Sequence, residues 1–374
     1  MNNVPNLRFN EFSGEWESLK ISETLKIKHG RDQKKIQVED GIYPILATGG
    51  EIGRTNIPLY DKESVLIGRK GTIDKPIYMN SPFWTVDTLF YSEIKNNIVP
   101  KFIFYKFQNI NWRKYCEASG VPSLSASTIE GIRYNVPQKQ EQEKIASFFS
   151  LIDKKIELQT EKVEELKNYK KGIMQKIFSQ ELRFKDENGN DYPSWTKCKI
   201  YDCFVERSEK GFEDLELLSV SMERGVIKRS EIESKDNSSE NKSNYKLVKK
   251  GDIVYNSMRM WQGASGLSEY EGIVSPAYTV LTPKKDIYSN YFSYLFKMHT
   301  MIHEFRKYSQ GLTSDTWNLK YPQIKDIKVN VPSYEEQVKI SQFFMKLDIK
   351  IEKEQDNLKC LIEYKKGLLQ QMFI

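Results

Sequence analysis

The chain contains the same long segment twice. Residues 136–179 and 331–374 align without a gap at an offset of 195, and 19 of the 44 aligned positions are identical. For example, Tyr169-Lys170-Lys171-Gly172 recurs as Tyr364-Lys365-Lys366-Gly367. An internal repeat limits the possible folds more than composition does, because both copies must be built in the same way. The chain is therefore a duplication, with one globular region before each repeated segment.

Both repeated segments have the apolar periodicity of a coiled coil. Apolar side chains recur in alternating steps of four and three residues, a period that is typical of long paired helices. We call these positions, together with the polar residues that interrupt them, the seam. In the first copy the apolar seam residues are Ile145, Phe149, Ile152, Ile156, Val163, Leu166, Ile173 and Ile177, with Gln159 and Lys170 at polar positions. In the second they are Ile340, Phe344, Leu347, Ile351, Leu358, Leu361, Leu368 and Met372, with Glu354 and Lys365.

The two apolar stripes need a partner, and a duplicated chain can supply it by packing one helix against the other. We expect an intramolecular antiparallel coiled coil related by a pseudo-twofold axis. In that arrangement Lys170 is predicted to face Glu354, and Gln159 to face Lys365. Such pairs lower stability relative to leucine but specify register. The alternative is that these polar positions are unpaired and exposed in an imperfect seam.

The predicted fold class is α/β (α+β), with two homologous globular domains joined by the two helices. The predicted boundaries are 1–137 and 181–332 for the domains, and 138–180 and 333–374 for the helices. The domains are related more loosely than the helices: Ser81–Val86 resembles Ser275–Val280 at an offset of 194.

Runs rich in β-branched and aromatic residues predict strands in both domains, and apolar-periodic stretches predict one further helix in each. The strands are predicted at Ser64–Gly68, Trp84–Tyr91, Asp252–Tyr255 and Tyr278–Leu281, and the helices at Lys101–Tyr115 and Tyr288–Tyr308. The polar, turn-rich segment Asp186–Ser194 is predicted to be a linker.

Basic residues lie among small and polar residues in both domains, as phosphate neutralisation and base reading require. Any one of these charges, taken alone, is explained by an ordinary solvated surface, but the set on two homologous domains favours a DNA-facing surface. The candidates in the first domain are Lys34, Lys35, Arg54, Arg69, Lys70, Lys75, Arg113 and Lys114. In the second they are Lys228, Arg229, Lys242, Arg259, Gln262, Arg306, Lys307, Thr313 and Ser314.

The sequence predicts no catalytic and no metal site. The segment Thr48–Gly53 lacks the Gly-Lys-Ser/Thr ending of a phosphate-binding loop, so a glycine-rich turn is the better interpretation. His299 and His303 have helical spacing but no evident third ligand, which favours a surface pair.

Composition favours a soluble intracellular protein. The chain has 57 Lys and Arg against 51 Asp and Glu, a formal charge of +6. No stretch approaches the roughly 20 apolar residues of a membrane span. The four cysteines are irregularly spaced, which favours free thiols in the cytoplasm.

The duplicated plan of domain, helix, domain and helix resembles the specificity subunits of Type I restriction–modification systems over essentially the whole chain. The most specific motifs are VPQKQEQEKIASFF with YKKGIMQKIF, and VPSYEEQVKISQFF with YKKGLLQQMF. The entry motifs LRFNEFSGEW and LRFKDENGNDYPSW add to the resemblance.

The resemblance implies a non-catalytic subunit whose two domains each read one half of a split, asymmetric site in double-stranded DNA, with the helices setting the gap. It implies two methyltransferase subunits and two motor–nuclease subunits as partners. S-adenosylmethionine, ATP and magnesium are then expected on those partners, with no cofactor in this chain. One alternative is a coiled-coil adaptor joining two protein-binding domains, and another is a self-sufficient nuclease or methyltransferase. Sequence-specific binding to DNA would distinguish a specificity subunit from the adaptor. Catalytic activity of the purified chain would instead favour the nuclease or methyltransferase.

Overall fold

A computed structural model describes residues 3–118, 120–222, 224–233 and 238–374. The chain divides into two compact units. The first contains residues up to Lys162 together with Glu354–Ile374, and the second contains Val163–Lys353. Each of the two long helices therefore contributes one part to each unit.

The first unit is built mainly of short strands around two apolar clusters, a large one and a smaller one. Its strands are β1 (Glu17–Lys20), β2 (Leu25–Lys28), β3 (Gln37–Val38), β4 (Tyr43–Ala47), β5 (Gly50–Thr55), β6 (Ser64–Gly68), β7 (Ile77–Met79), β8 (Trp84–Thr85), β9 (Leu89–Ile94) and β10 (Arg133–Val136). Its short helices are α1 (Ile21–Thr24), α2 (Pro100–Asn109) and α3 (Ala126–Gly131), with a 3₁₀ turn at Trp112–Tyr115. The long helix α4 (Lys139–Phe178) begins two residues after Pro137, as the sequence predicts.

The second unit repeats this plan. Its strands are β11 (Thr196–Lys199), β12 (Phe204–Arg207), β13 (Leu218–Ser221), β14 (Gly225–Lys228), β15 (Lys246–Val248), β16 (Ile253–Asn256), β17 (Ser265–Leu267), β18 (Gly272–Val274), β19 (Tyr278–Pro283) and β20 (Lys328–Val331). Its helices are α5 (Ile200–Cys203), α6 (Ser289–Leu295), α7 (His299–Tyr308), α8 (Tyr321–Ile324) and the long helix α9 (Tyr334–Met372). Short 3₁₀ helices lie at Arg229–Glu231 and Met260–Gln262.

The sheets confirm that the two domains are homologous. In the first unit a four-stranded antiparallel sheet has the order β2-β9-β6-β7, and in the second the corresponding order is β12-β19-β16-β17. In each, a two-stranded sheet (β1-β10 or β11-β20) lies where the domain joins its long helix. The domains differ beyond this scaffold. The first adds the sheet β3-β5-β4-β8, while the second has the hairpin β13-β14 and the pair β15-β18, whose strands are separated in the chain by β16 and β17.

Several predicted elements are shorter than expected because turns interrupt them. The strand predicted at Trp84–Tyr91 is two strands, β8 and β9, in different sheets. The helix predicted at Lys101–Tyr115 ends at Asn109, and that predicted at Tyr288–Tyr308 is divided into α6 and α7. The apolar pattern continues across each break, since the residues on both sides face the same core, and periodicity alone therefore misses it.

The correspondence between Ser81–Val86 and Ser275–Val280 is wrong as a structural equivalence. Strand register pairs Lys28 with Tyr91 in the first unit and Arg207 with Val280 in the second, so Val280 corresponds to Tyr91. Trp84 instead lies in β8, which pairs in parallel with β4. The similar hexapeptides therefore occupy different places in the two domains.

The long helices run antiparallel within each unit. In the first, Phe149 packs on Phe373 and Gln159 contacts Glu354, so the order along α9 is the reverse of that along α4. In the second, Lys170 contacts Asp348 and Phe178 stacks on Phe344. All twenty predicted seam residues are buried or half-buried. Within the described residues, no helix is both long and apolar enough to cross a membrane.

The segment predicted as a linker is a folded turn. Asp186 Oδ1 accepts hydrogen bonds from the backbone amides of Asn188 and Asn190, both at 2.8 Å. Lys185 and Asp191 form an antiparallel bridge across the turn. Its polar composition therefore reflects turn geometry rather than freedom of the chain.

Candidate nucleic-acid interface

The predicted polar pairing of the seam is wrong. Gln159 Nε2 donates to Glu354 Oε2 at 2.7 Å, and Lys170 forms an ion pair with Asp348. In the first unit Lys365 pairs with Asp153, the residue equivalent to Asp348, at 2.6 Å. Both seam lysines therefore form ion pairs with aspartates just outside the apolar stripe. The pattern of apolar residues does not reveal these partners.

A tyrosine from each domain completes these pairs. Tyr105 on α2 donates to Asp153 and Tyr294 on α6 donates to Asp348, each at 2.7 Å. Burial raises the pKa of both phenols, and the bond to a carboxylate raises it further, so both remain protonated donors. The same tyrosine–aspartate–lysine cluster therefore fixes each domain to its helix pair.

We expect a charge swap at this cluster to distinguish the effect of the Lys170–Asp348 ion pair from the effect of losing the lysine side chain. Lys170→Glu places two carboxylates together and should lower the free energy of unfolding by about 1–2 kcal/mol, since the pair is half-exposed. Adding Asp348→Lys should restore part of that loss in thermal melting. Combining Lys170→Glu with Glu354→Lys, the pairing expected from sequence, should restore nothing. Equal rescue by both second substitutions would contradict the observed register.

In the first unit five of the predicted basic residues lie on one surface, which we call the first turn–loop face. It consists of the turn 69–75 after β6, Arg113 and Lys114 of the 3₁₀ turn, and residues 117, 118 and 120–123 of the loop that follows. The loop is closed by Glu117 N–H donating to Ser123 O at 3.1 Å. The turn and loop are joined by Gly71 N–H to Pro122 O at 2.9 Å and Leu124 N–H to Arg69 O at 2.9 Å.

The five basic side chains of this face are exposed or half-exposed. Arg113 Nε donates to Asp74 at 2.9 Å, which brings Lys114 beside the turn that carries Lys75. Arg69 pairs with Asp87, and no ion pair of Lys70, Lys75 or Lys114 is found among the described residues. Three cations without a carboxylate partner on one face are suited to phosphate contacts.

The second unit builds an equivalent surface, the second turn–loop face, from the turn 257–263 and the loop 310–318. Gln310 and Asn318 close the loop with two backbone hydrogen bonds of 3.0 and 2.8 Å. Leu319 N–H donates to Ser257 O at 2.8 Å, which matches the bond between Leu124 and Arg69 in the first unit. The two faces therefore share one backbone plan.

Aromatic packing holds the second face together. Trp261 and Trp317 pack edge to face with ring centroids 5.2 Å apart, and the Arg306 guanidinium lies 5.6 Å from the Trp261 ring. Arg259 and Gln262 flank Trp261 in the turn, while Thr313 and Ser314 are exposed in the loop. Lys307, beside Arg306, pairs with Glu304 at 2.5 Å. Six predicted residues are thus brought together.

A half-buried lysine supports this turn. Lys297 Nζ donates to Gly263 O at 2.6 Å and to Met222 O at 3.1 Å. Burial lowers the pKa of Lys297 to about 8. Lys297 therefore holds the end of the turn rather than reaching a ligand, and sequence inspection missed it because lysines are usually solvated.

The remaining predicted residues do not join the two faces through any contact among the described residues. Arg54 is paired with Glu51 at 2.9 Å and Lys228 with Glu216 at 3.1 Å. Arg229 donates to Ile232 O, and Lys242 to Ser239 O, within their own segments. Lys34 and Lys35 are exposed on the segment between β2 and β3. Their assignment to DNA binding stays a prediction.

The interpretation of Thr48–Gly53 as a glycine-rich turn is confirmed. Thr48 and Gly49 form the two-residue turn between β4 and β5, and a strand rather than a helix follows. His299 and His303 are both exposed on α7. Within the described part of the chain, no three His, Cys, Asp or Glu side chains are grouped to hold a metal ion.

Comparison with known proteins gives one consistent result. The model of the family described as "Type I restriction modification DNA specificity domain" matches residues 13–168 and 179–363. The Type I restriction enzyme MjaVIII specificity subunit of Methanocaldococcus jannaschii is 23% identical over 389 aligned residues, which cover 95% of this chain and 91% of that protein.

Solved structures share the fold. The S subunit of a type I restriction–modification system from M. genitalium is 17% identical, with a TM-score of 0.64 and 99% of both chains covered. A chain from a study of complex assembly and conformational transition of the type I restriction–modification system is 11% identical, with a TM-score of 0.56. That match covers 96% of this chain and 97% of the other.

Proposed function

Since the chain belongs to the type I restriction–modification DNA specificity family, two domains of which it carries, we propose that it is the DNA-reading subunit of such a system. Each domain reads one half of a split, asymmetric sequence in double-stranded DNA. The first turn–loop face contacts one half and the second turn–loop face contacts the other.

One observation supports this assignment above the others. In both turn–loop faces the residue after the loop donates its backbone N–H to the first residue of the turn, Leu124 to Arg69 and Leu319 to Ser257, but the two faces carry different side chains. The first presents lysines and arginines around Pro122, while the second presents a tryptophan pair, arginines and hydroxyl groups. A shared backbone with divergent side chains is what two readers of different sequences need, because phosphates are common to all DNA but base edges are not.

The long helices would set the distance between the two half-sites. Helix α4 has 40 residues and α9 has 39. At 1.5 Å per residue such a helix is about 60 Å long, which exceeds one turn of duplex DNA. The tyrosine–aspartate–lysine clusters would keep each domain at a fixed place on this spacer.

The chemistry would reside in partner subunits. We propose that two methyltransferase subunits bind to the outer faces of the helices and to the domains, and that two motor–nuclease subunits complete the complex. S-adenosylmethionine, ATP and magnesium would bind to those partners, and this chain would itself catalyse nothing. The complex would act in the cytoplasm, where its DNA target lies.

Methylome sequencing of a host with and without this gene, with the methyltransferase partner present in both, tests the proposal. N6-methyladenine should appear at one split motif only when the gene is present. An unchanged methylome, together with failure of the purified chain and its partner to bind DNA, would contradict the proposal and favour an adaptor.

A further inference from the structure

Leu312 is the most exposed large apolar side chain among the described residues. Its side chain is fully exposed, at 101% of the reference accessibility. It lies in the closed loop of the second turn–loop face. A leucine that is buried on folding or binding contributes about 1.5–3 kcal/mol, so full exposure leaves that free energy available for a ligand.

The loop that carries Leu312 is held in one conformation by specific hydrogen bonds. Besides the Gln310–Asn318 pair, Thr316 N–H and Oγ1 both donate to Thr313 O, at 3.0 and 2.9 Å. Gly311 has a φ of 147°, and a Cβ there would lie 2.6 Å from Thr316 O. The loop can therefore fold back on itself only with glycine at this position, and it presents Leu312 at a defined place.

The loop residues that directly follow Leu312 are polar, while the turn of the same face carries the exposed side chain of Met258. Thr313, Ser314, Asp315 and Thr316 follow it and are exposed. Arg306 lies on the Trp261 ring, which packs on Trp317 of the same loop. A protein-docking surface would be expected to present a contiguous apolar patch. The loop 310–318 instead presents Leu312 as its one exposed apolar side chain, followed by hydroxyl and carboxylate groups, and this mixture resembles the one that reads base edges in the major groove.

The first domain has an apolar residue in the corresponding loop. Val121 lies between Gly120 and Pro122 and is 66% exposed. This loop is closed and attached to its turn by the backbone hydrogen bonds described above. An exposed apolar side chain in both loops is therefore a shared feature of the two faces, although the residue and the loop length differ.

We propose that Leu312 is a specificity-determining residue that contacts the C5-methyl group of a thymine in the half-site read by the second domain. The inference rests on the proposed function. The methyl group is the apolar feature that distinguishes thymine in the major groove. The neighbouring hydroxyl and carboxylate groups of the loop then hydrogen-bond to adjacent base edges, and Arg259 and Arg306 contact the same half-site.

The test uses the chain assembled with its methyltransferase partner and the motif found by methylome sequencing. Duplexes are made in which each thymine of the second half-site, on either strand, is replaced singly by deoxyuridine, which lacks the methyl group. One such replacement should weaken binding by the wild-type complex about fourfold, the value of one buried methyl group. Leu312→Ala should weaken binding to unmodified DNA by about threefold to tenfold and should remove the sensitivity to that deoxyuridine.

The control variant is Val121→Ala, which should leave the response to every second-half-site deoxyuridine unchanged. Leu312→Ala should leave the melting temperature unchanged, because the side chain makes no packing contact to lose. Three results would overturn the inference while leaving the proposed function intact. These are a second half-site without thymine, deoxyuridine sensitivity that persists in Leu312→Ala, or a Leu312→Ala complex that fails to hold the methyltransferase. Absence of any motif dependent on this gene would instead contradict the proposed function itself.

Discussion

Replacing both Arg259 and Arg306 with alanine should lower methylation of the recognised DNA about 100-fold, and should do so through one half-site only. Each arginine is expected to contribute one base contact of about 1–3 kcal/mol, so losing two contacts costs roughly two orders of magnitude. Arg306 also packs on the Trp261 ring, and its loss would loosen the turn that carries Arg259.

The measurement is the rate of methylation of duplexes mismatched in one half-site or in the other. Discrimination against mismatches should collapse in the second half-site and persist in the first. Arg69→Ala with Lys70→Ala should give the opposite result, because those residues lie on the first turn–loop face. Lys250→Ala, which removes an exposed lysine paired with Glu269 at 2.9 Å, serves as the control for loss of charge. Equal loss of discrimination at both half-sites would show that the domains do not read separately.

Arg8→Met should be the most destabilising substitution of a charged residue in the first unit. Arg8 donates to both oxygens of Glu141, at 2.8 and 2.7 Å, and Trp16 Nε1 donates to the same carboxylate at 3.3 Å. The Glu141 side chain is only 1% exposed. Removing the arginine would leave a buried carboxylate without its counter-charge, which costs about 3–5 kcal/mol.

Thermal denaturation of the complete chain provides the measurement. For a unit of this size, a loss of about 3 kcal/mol corresponds to a melting temperature lower by roughly 6–12 °C. Adding Glu141→Met should recover most of the loss, since a buried ion pair is often replaceable by apolar residues of similar size. Lys28→Met removes a half-exposed pair with Glu93 and should cost under about 1 kcal/mol. A similar melting temperature for Arg8→Met and Lys28→Met would contradict this account.

The second unit contains the same arginine–glutamate–tryptophan contacts, so the corresponding substitution there should have a similar effect on stability. Arg183 pairs with Glu336 at 2.6 Å, and Trp195 Nε1 donates to that carboxylate at 3.0 Å. A second hydrogen bond, from a glutamine side chain to a proline carbonyl, is also common to both units. Gln142 Nε2 donates to Pro137 O, and Gln337 Nε2 donates to Pro332 O. These contacts explain why the Glu-Gln pair recurs in both copies of the duplicated segment.

Much of the fold follows from the sequence because the duplication carries two independent copies of the same information. The 3.5-residue period of Ile145 to Ile177 and of Ile340 to Met372 predicts two long helices, and the strand-forming run Ser64–Gly68 matches β6 at both ends. These signals are local: a helix or strand leaves its period in the residues that form it. The divided helices and strands were missed because the interrupting turns do not change that period.

Side-chain partners, in contrast, were decided by tertiary structure. The seam lysines Lys170 and Lys365 were predicted from their positions, yet their aspartate partners depend on a register that sequence does not encode locally. The turn–loop faces depend on contacts between segments far apart in the chain, such as Leu319 with Ser257 and Trp261 with Trp317.

The sequence by itself therefore determined the duplication, the helix pair, the α/β class of the domains and the family resemblance. Only the tertiary structure decided which basic residues share a surface, that the half-buried Lys297 supports a turn, and that Leu312 is presented to solvent. The physical reason is that periodicity and repeats are properties of neighbouring residues, whereas the closing hydrogen bonds, the ring packing and the burial of charges depend on which distant segments meet.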